Sequence, residues 1–176
     1  MSYLSTRFQQ AQEGQKFADT IVKQLRYDAH YVKVFTGGGK VVMSGMLGSV
    51  YQEAGNYKKA YALVSDAISE ADDSIQPAFL NHGLRVLIAC ELSNKKPNLK
   101  RVHANLQKLF KILKENNLNV YIPRYYYYLS EYHLKSNDVV KAKKAIKKSI
   151  ELLEKNKMSG WLEKALAKEK EIAKKV

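Results

Sequence analysis

Residues 47–67, LGSVYQEAGNYKKAYALVSDA, decide the fold of this chain. Gly48 and Ala60 are small residues that stand where the backbones of two short helices can come close together. Larger side chains are spaced to fill the room between these helices: Leu47, Tyr51, Tyr57 and Val64. Gly55-Asn56 predicts the turn, because glycine adopts left-handed backbone angles without steric cost. The stretch therefore predicts two packed helices joined by a tight turn.

This spacing closely resembles the signature of the tetratricopeptide repeat, a helix-turn-helix unit that stacks into solenoids. The resemblance implies an all-α fold: a right-handed α-α superhelix of three to four helical hairpins with a C-terminal capping helix. Four alanines that would recur between units, Ala18, Ala60, Ala104 and Ala142, are 42, 44 and 38 residues apart. That is longer than the usual unit of about 34 residues. Long units of this kind are similar to the tetratricopeptide domains of bacterial peptide-sensing or transcriptional regulators.

The chain is predicted to be one helical repeat domain, residues 1–176. Its predicted parts are a degenerate first hairpin (1–36), a clear repeat (40–72), an expanded repeat (77–116), a third repeat (121–156) and a capping helix (158–175). Asn137 replaces the turn glycine in the third repeat and tolerates left-handed angles. Gly37-Gly38-Gly39-Lys40 lacks the spacing of a phosphate-binding loop and the Ser or Thr that should follow its lysine, so a flexible loop is predicted there.

The composition is that of a folded protein, with 45% hydrophobic and 27% charged residues. Cys90 is the only cysteine, which excludes an internal disulfide and a cysteine-based zinc site, and its apolar neighbours predict a buried thiol. No apolar stretch approaches the ~20 residues that span a bilayer, and the polar N-terminus lacks the core of a signal peptide. These features predict a cytoplasmic protein without a membrane partner.

The formal charge of +13 comes entirely from residues 94–176, which hold 21 Lys/Arg and 8 Asp/Glu. Two lysine-rich helices in this half have apolar residues on their buried faces, so their lysines are predicted to form a basic outer face. Its representative residues are Lys108, Lys111, Lys144 and Lys148. A solvated face is the default interpretation. The sharper hypothesis is an electrostatic dock for an acidic protein or a nucleic-acid backbone, whose binding would weaken steeply with salt.

The resemblance also implies where a ligand would bind. In a curled stack, the first helix of each hairpin lines the concave face, so residues there that packing does not need are binding candidates. These candidates are Gln52, Glu53, Asn81, Arg85, Arg124, Tyr127 and Glu131. Amide side chains can pair with a peptide backbone, and arginine can bind a carboxylate through two hydrogen bonds.

The run Tyr125-Tyr126-Tyr127-Tyr128 covers all sides of a helix, because successive residues are ~100° apart. Core filling and a ligand-facing Tyr127 both remain open as interpretations. The four histidines, His30, His82, His103 and His133, do not have a metal-binding spacing, and no nucleophile–base pair is recognisable. The sequence therefore predicts no catalysis, no cofactor and no metal.

The favoured function is a non-catalytic module that binds a protein or peptide through the concave face. Two alternatives remain. The first is a ligand-sensing regulatory domain of a bacterial transcriptional regulator, which would be stabilised by a small effector. The second is a nucleic-acid-associated protein that uses the basic C-terminal half, which would shift labelled nucleic acid in a salt-dependent way.

Overall fold

A computed structural model describes residues 38–71 and 75–175 of the chain. Within these ranges the protein has seven α-helices and no strand, which confirms the predicted all-α class. The chain divides into two compact units, residues 1–94 and 95–176. The predicted first hairpin, 1–36, lies outside the described residues.

The first unit contains three described helices. They are α1 (Gly38–Glu53), α2 (Tyr57–Ser69) and α3 (Pro77–Leu92). The turn between α1 and α2 closes on Gly55, whose φ of 78° is left-handed, as predicted. Asn56 then caps α2, because its side-chain oxygen accepts a hydrogen bond from the backbone N–H of Lys59 at 3.3 Å.

Small residues let the three helices of the first unit come close. A Cβ atom on Gly48 of α1 would overlap the Cγ2 of Val64 on α2 and lie 3.3 Å from Val86 on α3. A Cβ atom on Gly83 of α3 would lie 2.8 Å from the Cδ1 of Ile68 on α2. Ala60 is fully buried in the same core. The close approach predicted at Gly48 and Ala60 is therefore present.

The beginning of α1 differs from the prediction. Gly38, Gly39 and Lys40 form its first turn, although a loop was predicted there. Lys40 provides the physical reason, because its Nζ atom pairs with Glu70 at 2.6 Å and with Asp66 at 3.1 Å on α2. These carboxylates raise the pKa of Lys40, and the ion pairs hold the helical turn against α2. The flexible-loop prediction was wrong for Gly38 and Gly39, whereas Lys40 also begins the predicted repeat 40–72.

The second unit contains four α-helices and a short 3₁₀ turn, Asn119–Tyr121. The helices are α4 (Leu99–Glu115), α5 (Ile122–Lys135), α6 (Val139–Lys155) and α7 (Ser159–Ala173). Within the unit, α5 contacts α4, α6 and α7. The core formed by the last three helices consists of Leu134, Ala142, Ile146, Leu153, Ala165 and Ile172.

The helix ends of the second unit repeat the geometry of the first. Asn117, Asn137 and Lys157 have φ values of 53°, 60° and 53°, so each closes a helix in the left-handed conformation. Asn137 was predicted to do so. Asp138 then caps α6 by accepting a hydrogen bond from the N–H of Lys141 at 3.0 Å, as Asn56 does in the first unit.

The buried face of α4 differs from one expectation. The spacing of the four alanines pairs Ala104 with Ala60, but Ala104 is exposed whereas Ala60 is fully buried. The buried residues of α4 are Val102, Leu106, Leu109 and Leu113. Their spacing at three and four residues places the large side chains on one face, and Ala104 lies off that face.

Candidate functional site

The candidate residues of the first unit divide into accessible and enclosed ones. On α1, Gln52 is half-buried and Glu53 is exposed. On α3, Asn81 is fully buried and Arg85 is 8% exposed. The last two are therefore enclosed, and are not open to a ligand as the sequence predicted.

The burial of Asn81 is unfavourable to the free energy of folding. Among the described residues, neither its side-chain nitrogen nor its side-chain oxygen has a hydrogen-bond partner, and the residue has no exposed surface. An unsatisfied buried polar atom destabilises a protein by about 1–3 kcal/mol. Asn81 therefore destabilises the core of the first unit.

Arg85 belongs to a polar chain that runs from α3 to α1. Its Nη2 donates to Nδ1 of His82 at 3.1 Å, and Nε2 of His82 lies 2.9 Å from Oγ of Ser49. A guanidinium group only donates, so Nδ1 accepts and Nε2 carries the proton of the neutral ring. Ser49 in turn donates to the carbonyl oxygen of Gly45 at 3.0 Å. His82 therefore has no free lone pair with which to activate Ser49. The hydrogen bond between His82 and Ser49 joins α3 to α1.

The candidates of the second unit lie on one face of α5, toward α7. Arg124, Tyr127 and Glu131 are spaced at three and four residues, and each contacts a side chain of α7. The ring centroids of Tyr127 and Trp161 are 5.5 Å apart at an interplanar angle of 80°, an edge-to-face arrangement. The structure brings these three predicted residues together.

Glu131 joins an ion-pair cluster with α7. Its Oε1 lies 2.9 Å from Nζ of Lys168, which also pairs with Glu171 at 2.7 Å. Burial alone would lower the pKa of Lys168, but the charge of Glu131 and the hydrogen bonds to both carboxylates outweigh it and raise that pKa. The cluster stabilises the docking of α7 on α5, so Glu131 is engaged within the protein.

Arg124 is the exception on this face. Its guanidinium carbon lies 5.1 Å from the ring centroid of Trp161 and 5.6 Å from that of Tyr121. The Nε atom is buried without a hydrogen-bond partner, and no carboxylate in the described part of the chain forms an ion pair with the group. Burial lowers the pKa of Arg124, although the phenols of Tyr128 and Tyr121 oppose this effect. The result is a partly desolvated cation between two aromatic rings.

Trp161, which contacts Arg124, and Lys164, which contacts Trp161, were not predicted from the sequence. The Nζ atom of Lys164 lies 5.2 Å from the centroid of the Trp161 ring, so this ring contacts a second cation. The only signal in the sequence was a single tryptophan just after the break at Met158-Ser159-Gly160. A lone tryptophan at this position predicts a packing residue at the start of a helix, but the sequence does not indicate which helix Trp161 contacts.

The four consecutive tyrosines have different environments. Tyr128 is buried and the other three are half-buried. Tyr125 packs on Phe110 of α4, with 4.8 Å between the ring centroids, whereas Tyr127 and Tyr128 both contact Trp161 of α7. The run therefore fills space on two sides of α5.

The lysines of the predicted basic face are exposed. Lys108 and Lys111 lie on α4, and Lys144 and Lys148 lie on α6. Two of them have carboxylate neighbours: Lys111 lies 3.8 Å from Glu115, and Lys148 lies 2.8 Å from Glu151. For Lys108 and Lys144, no such pair occurs among residues 38–71 and 75–175.

Residues 38–71 and 75–175 contain no cluster of three or more His, Cys, Asp or Glu side chains able to hold a metal ion. The helices formed by the same residues are all too short or too polar to cross a bilayer. Cys90 is 1% exposed, as predicted, and burial raises the pKa of its thiol to about 12. A neutral, enclosed thiol does not react as a nucleophile.

No model of a protein family matches the chain, and no curated protein or solved structure matches it either.

Proposed function

We propose that this chain is a tetratricopeptide-like helical repeat protein, stacked as a right-handed solenoid, that binds a peptide segment of another protein without catalysis. Support for the repeat comes from two hairpins, α1–α2 and α5–α6. Gly55 and Asn137 close their first helices in the same left-handed conformation, 82 positions apart. Asn56 and Asp138, the next residues, cap their second helices in the same way.

The same offset relates the small residues of the two hairpins. Gly48, Ala60 and Gly83 in the first unit correspond to Ser130, Ala142 and Ala165 in the second, and all six are buried. A hairpin of this kind cannot cover its apolar face alone, so a neighbouring helix must complete it. In this proposal α3 and α7 complete the two hairpins, and the largely polar outer surface of α7 ends the stack.

The observation that carries the binding function is the environment of Arg124. A guanidinium group that is partly desolvated and has no carboxylate partner gains most from an anionic ligand that it can bind through two hydrogen bonds. The rings of Trp161 and Tyr121 contact the guanidinium group and offer apolar area for the rest of a peptide. We therefore expect the ligand to present a carboxylate, either a side chain or a C-terminus, to Arg124.

Selection from a random peptide display library on the whole protein tests this proposal. Peptides selected on the wild type should contain an acidic residue or a free C-terminal carboxylate. Their affinity should fall by about 10- to 100-fold in Arg124→Gln, since a charge-assisted contact of this type is worth about 1.5–3 kcal/mol. Circular dichroism should show unchanged helical content.

Arg101→Gln is the matched control, because Arg101 is exposed on α4 and the substitution removes the same charge. Its affinity for the selected peptides should equal that of the wild type. An equal loss of peptide affinity in both variants would show that only the net charge of the protein matters, and would contradict a site at Arg124. Selection of peptides that lack any carboxylate would contradict the proposed ligand class.

A further inference from the structure

A second concave surface lies between α5 and α6 and contains no residue of α7. It has a volume of about 640 Å³, within the range of ligand pockets, and all its lining residues belong to α5 and α6. Tyr126, Leu129 and Ala145 are its apolar lining residues. We call this surface the basic groove, because lysines surround its apolar part.

Four lysines of α6 line the basic groove, and Glu151 is the one acidic residue among its described lining residues. The lysines are Lys141, Lys144, Lys147 and Lys148. Asp138 pairs with Lys141 at 2.8 Å, and Glu151 pairs with Lys148 at the same distance. Burial lowers the pKa of His133, which also lines the groove, so its ring is neutral at pH 7.

Lys144 and Lys147 supply the unbalanced charge. Both are exposed, and within the described ranges neither forms an ion pair. They are three residues apart on one helix, so their ammonium groups are neighbours that repel each other. A partner with carboxylates at this spacing would replace the repulsion with attraction.

The apolar lining narrows the class of partner. A purely polyanionic ligand would satisfy the lysines but leave Tyr126 and Leu129 against water. A nucleic-acid backbone is bound by a track of cations, with aromatic platforms that stack bases. Here the cations lie on one helix beside a concave apolar surface. These features together fit apolar side chains that are flanked by carboxylates.

We propose that the basic groove docks an acidic amphipathic segment of a partner protein. Its apolar side chains would contact Tyr126, Leu129 and Ala145, and its carboxylates would pair with Lys144 and Lys147. Such a segment buries its anchors in a preformed concavity while its charges stay at the rim, as is typical of a helix bound in a groove.

This inference does not depend on the proposed peptide site at Arg124. Tyr126, Leu129 and His133 are spaced along one face of α5, whereas Arg124, Tyr127 and Glu131 lie on the face that contacts α7. Arg124→Gln should therefore leave binding in the groove unchanged. Failure at one surface is distinguishable from failure at the other.

The test uses the full chain and a labelled acidic peptide with leucines at helical spacing of three and four residues, followed by fluorescence anisotropy. The wild type should bind it, and Lys144→Glu combined with Lys147→Glu should weaken binding by about tenfold or more. Both lysines are exposed, so the melting temperature should confirm that the variant is folded. A peptide of the same composition with the leucines scrambled should bind about tenfold more weakly, because it cannot place apolar side chains together.

The matched control combines Lys170→Glu and Lys174→Glu, two exposed lysines at the end of α7, which gives the same change in net charge. It should bind the peptide within about twofold of the wild type, because neither residue lines the basic groove and salt screens interactions between exposed charges. Three results would overturn the inference. They are no binding by the wild type, equal binding of the scrambled peptide, and tighter binding of a single-stranded oligonucleotide that displaces the peptide.

Discussion

Gly48 determines how closely α1 can approach α2. We expect Gly48→Ala to lower the free energy of unfolding by about 1–3 kcal/mol, because overpacking outweighs the helix propensity that alanine restores. The new methyl group would overlap the stiff, buried side chain of Val64 and press on Val86. Urea denaturation followed by circular dichroism measures the change.

Gly160 supplies the control for this substitution. It is also a helical glycine, but a Cβ atom there would meet no atom within 4 Å. Gly160→Ala should therefore leave stability unchanged or raise it by up to about 1 kcal/mol through helix propensity alone. Equal effects at both positions would mean that close packing at Gly48 is unimportant.

Single residues differ in how far the sequence predicts them. Gly55 and Asn137 were predicted correctly, because a left-handed turn is a local requirement that few residue types meet. The burial of Asn81 and Arg85 was not predicted, because polar residue types favour exposure and only tertiary packing encloses them. Local conformation is encoded nearby in the chain, whereas burial depends on distant neighbours.

At the scale of the helices, Asp138 makes the start of α6 sensitive to acid. The hydrogen bonds that its carboxylate accepts from the side chain and backbone of Lys141 lower its pKa below the ordinary value of 3.8. The stabilisation is therefore complete above pH 3.8 and is lost as the pH falls through the lowered pKa. Asp138→Ala should have a lower melting temperature than the wild type at pH 7, and this difference should shrink in acid.

Asp138→Asn separates the cap from its charge, since asparagine caps helices without titrating in this range. The melting temperatures of Asp138→Asn and Asp138→Ala should differ by the same amount at pH 7 and in acid. A difference between wild type and Asp138→Ala that stays constant with pH would contradict a titrating cap.

The predicted segments 40–72, 77–116, 121–156 and 158–175 begin and end within a few residues of the described helices that they contain. Two predictions about helices were wrong for different reasons. The first turn of α1 is held by Lys40 and its partners 26 and 30 residues away, which local propensity does not register. Ala104 matched a repeat spacing, but the large apolar residues of α4 decide which face is buried.

At the scale of the whole molecule, the second unit has its own core and all the formal excess charge. We expect a fragment of residues 95–176 to unfold cooperatively, because the core residues of α5, α6 and α7 contact one another within this unit. Its 21 basic and 8 acidic residues repel one another on balance, so its melting temperature should rise with ionic strength.

Thermal denaturation by circular dichroism at low and high salt checks this expectation. Sodium sulfate should be avoided in the comparison, since it stabilises most proteins by exclusion from their surfaces. A fragment that is helical but melts without cooperativity would show that the unit needs residues 1–94.

The candidate sites are less predictable than the fold, because each is assembled from separate helices. The sequence marks Arg124 as a candidate, but it does not identify Trp161, 37 residues later, whose ring contacts the guanidinium group. It likewise selected Lys144 and Lys148 as basic but could not place Tyr126 beside them. Such pairings depend on how helices pack, and no local pattern of residues determines them.

Trp161 makes the surface around Arg124 observable without a label. It is the only tryptophan among 176 residues, so the emission excited at long ultraviolet wavelengths comes from this ring alone. The ring contacts two tyrosines and two cations, so a carboxylate that binds nearby should change the intensity and wavelength of its emission. A peptide bound in the basic groove, which Trp161 does not line, should leave the tryptophan fluorescence unchanged. Tryptophan fluorescence can therefore distinguish binding at the two surfaces.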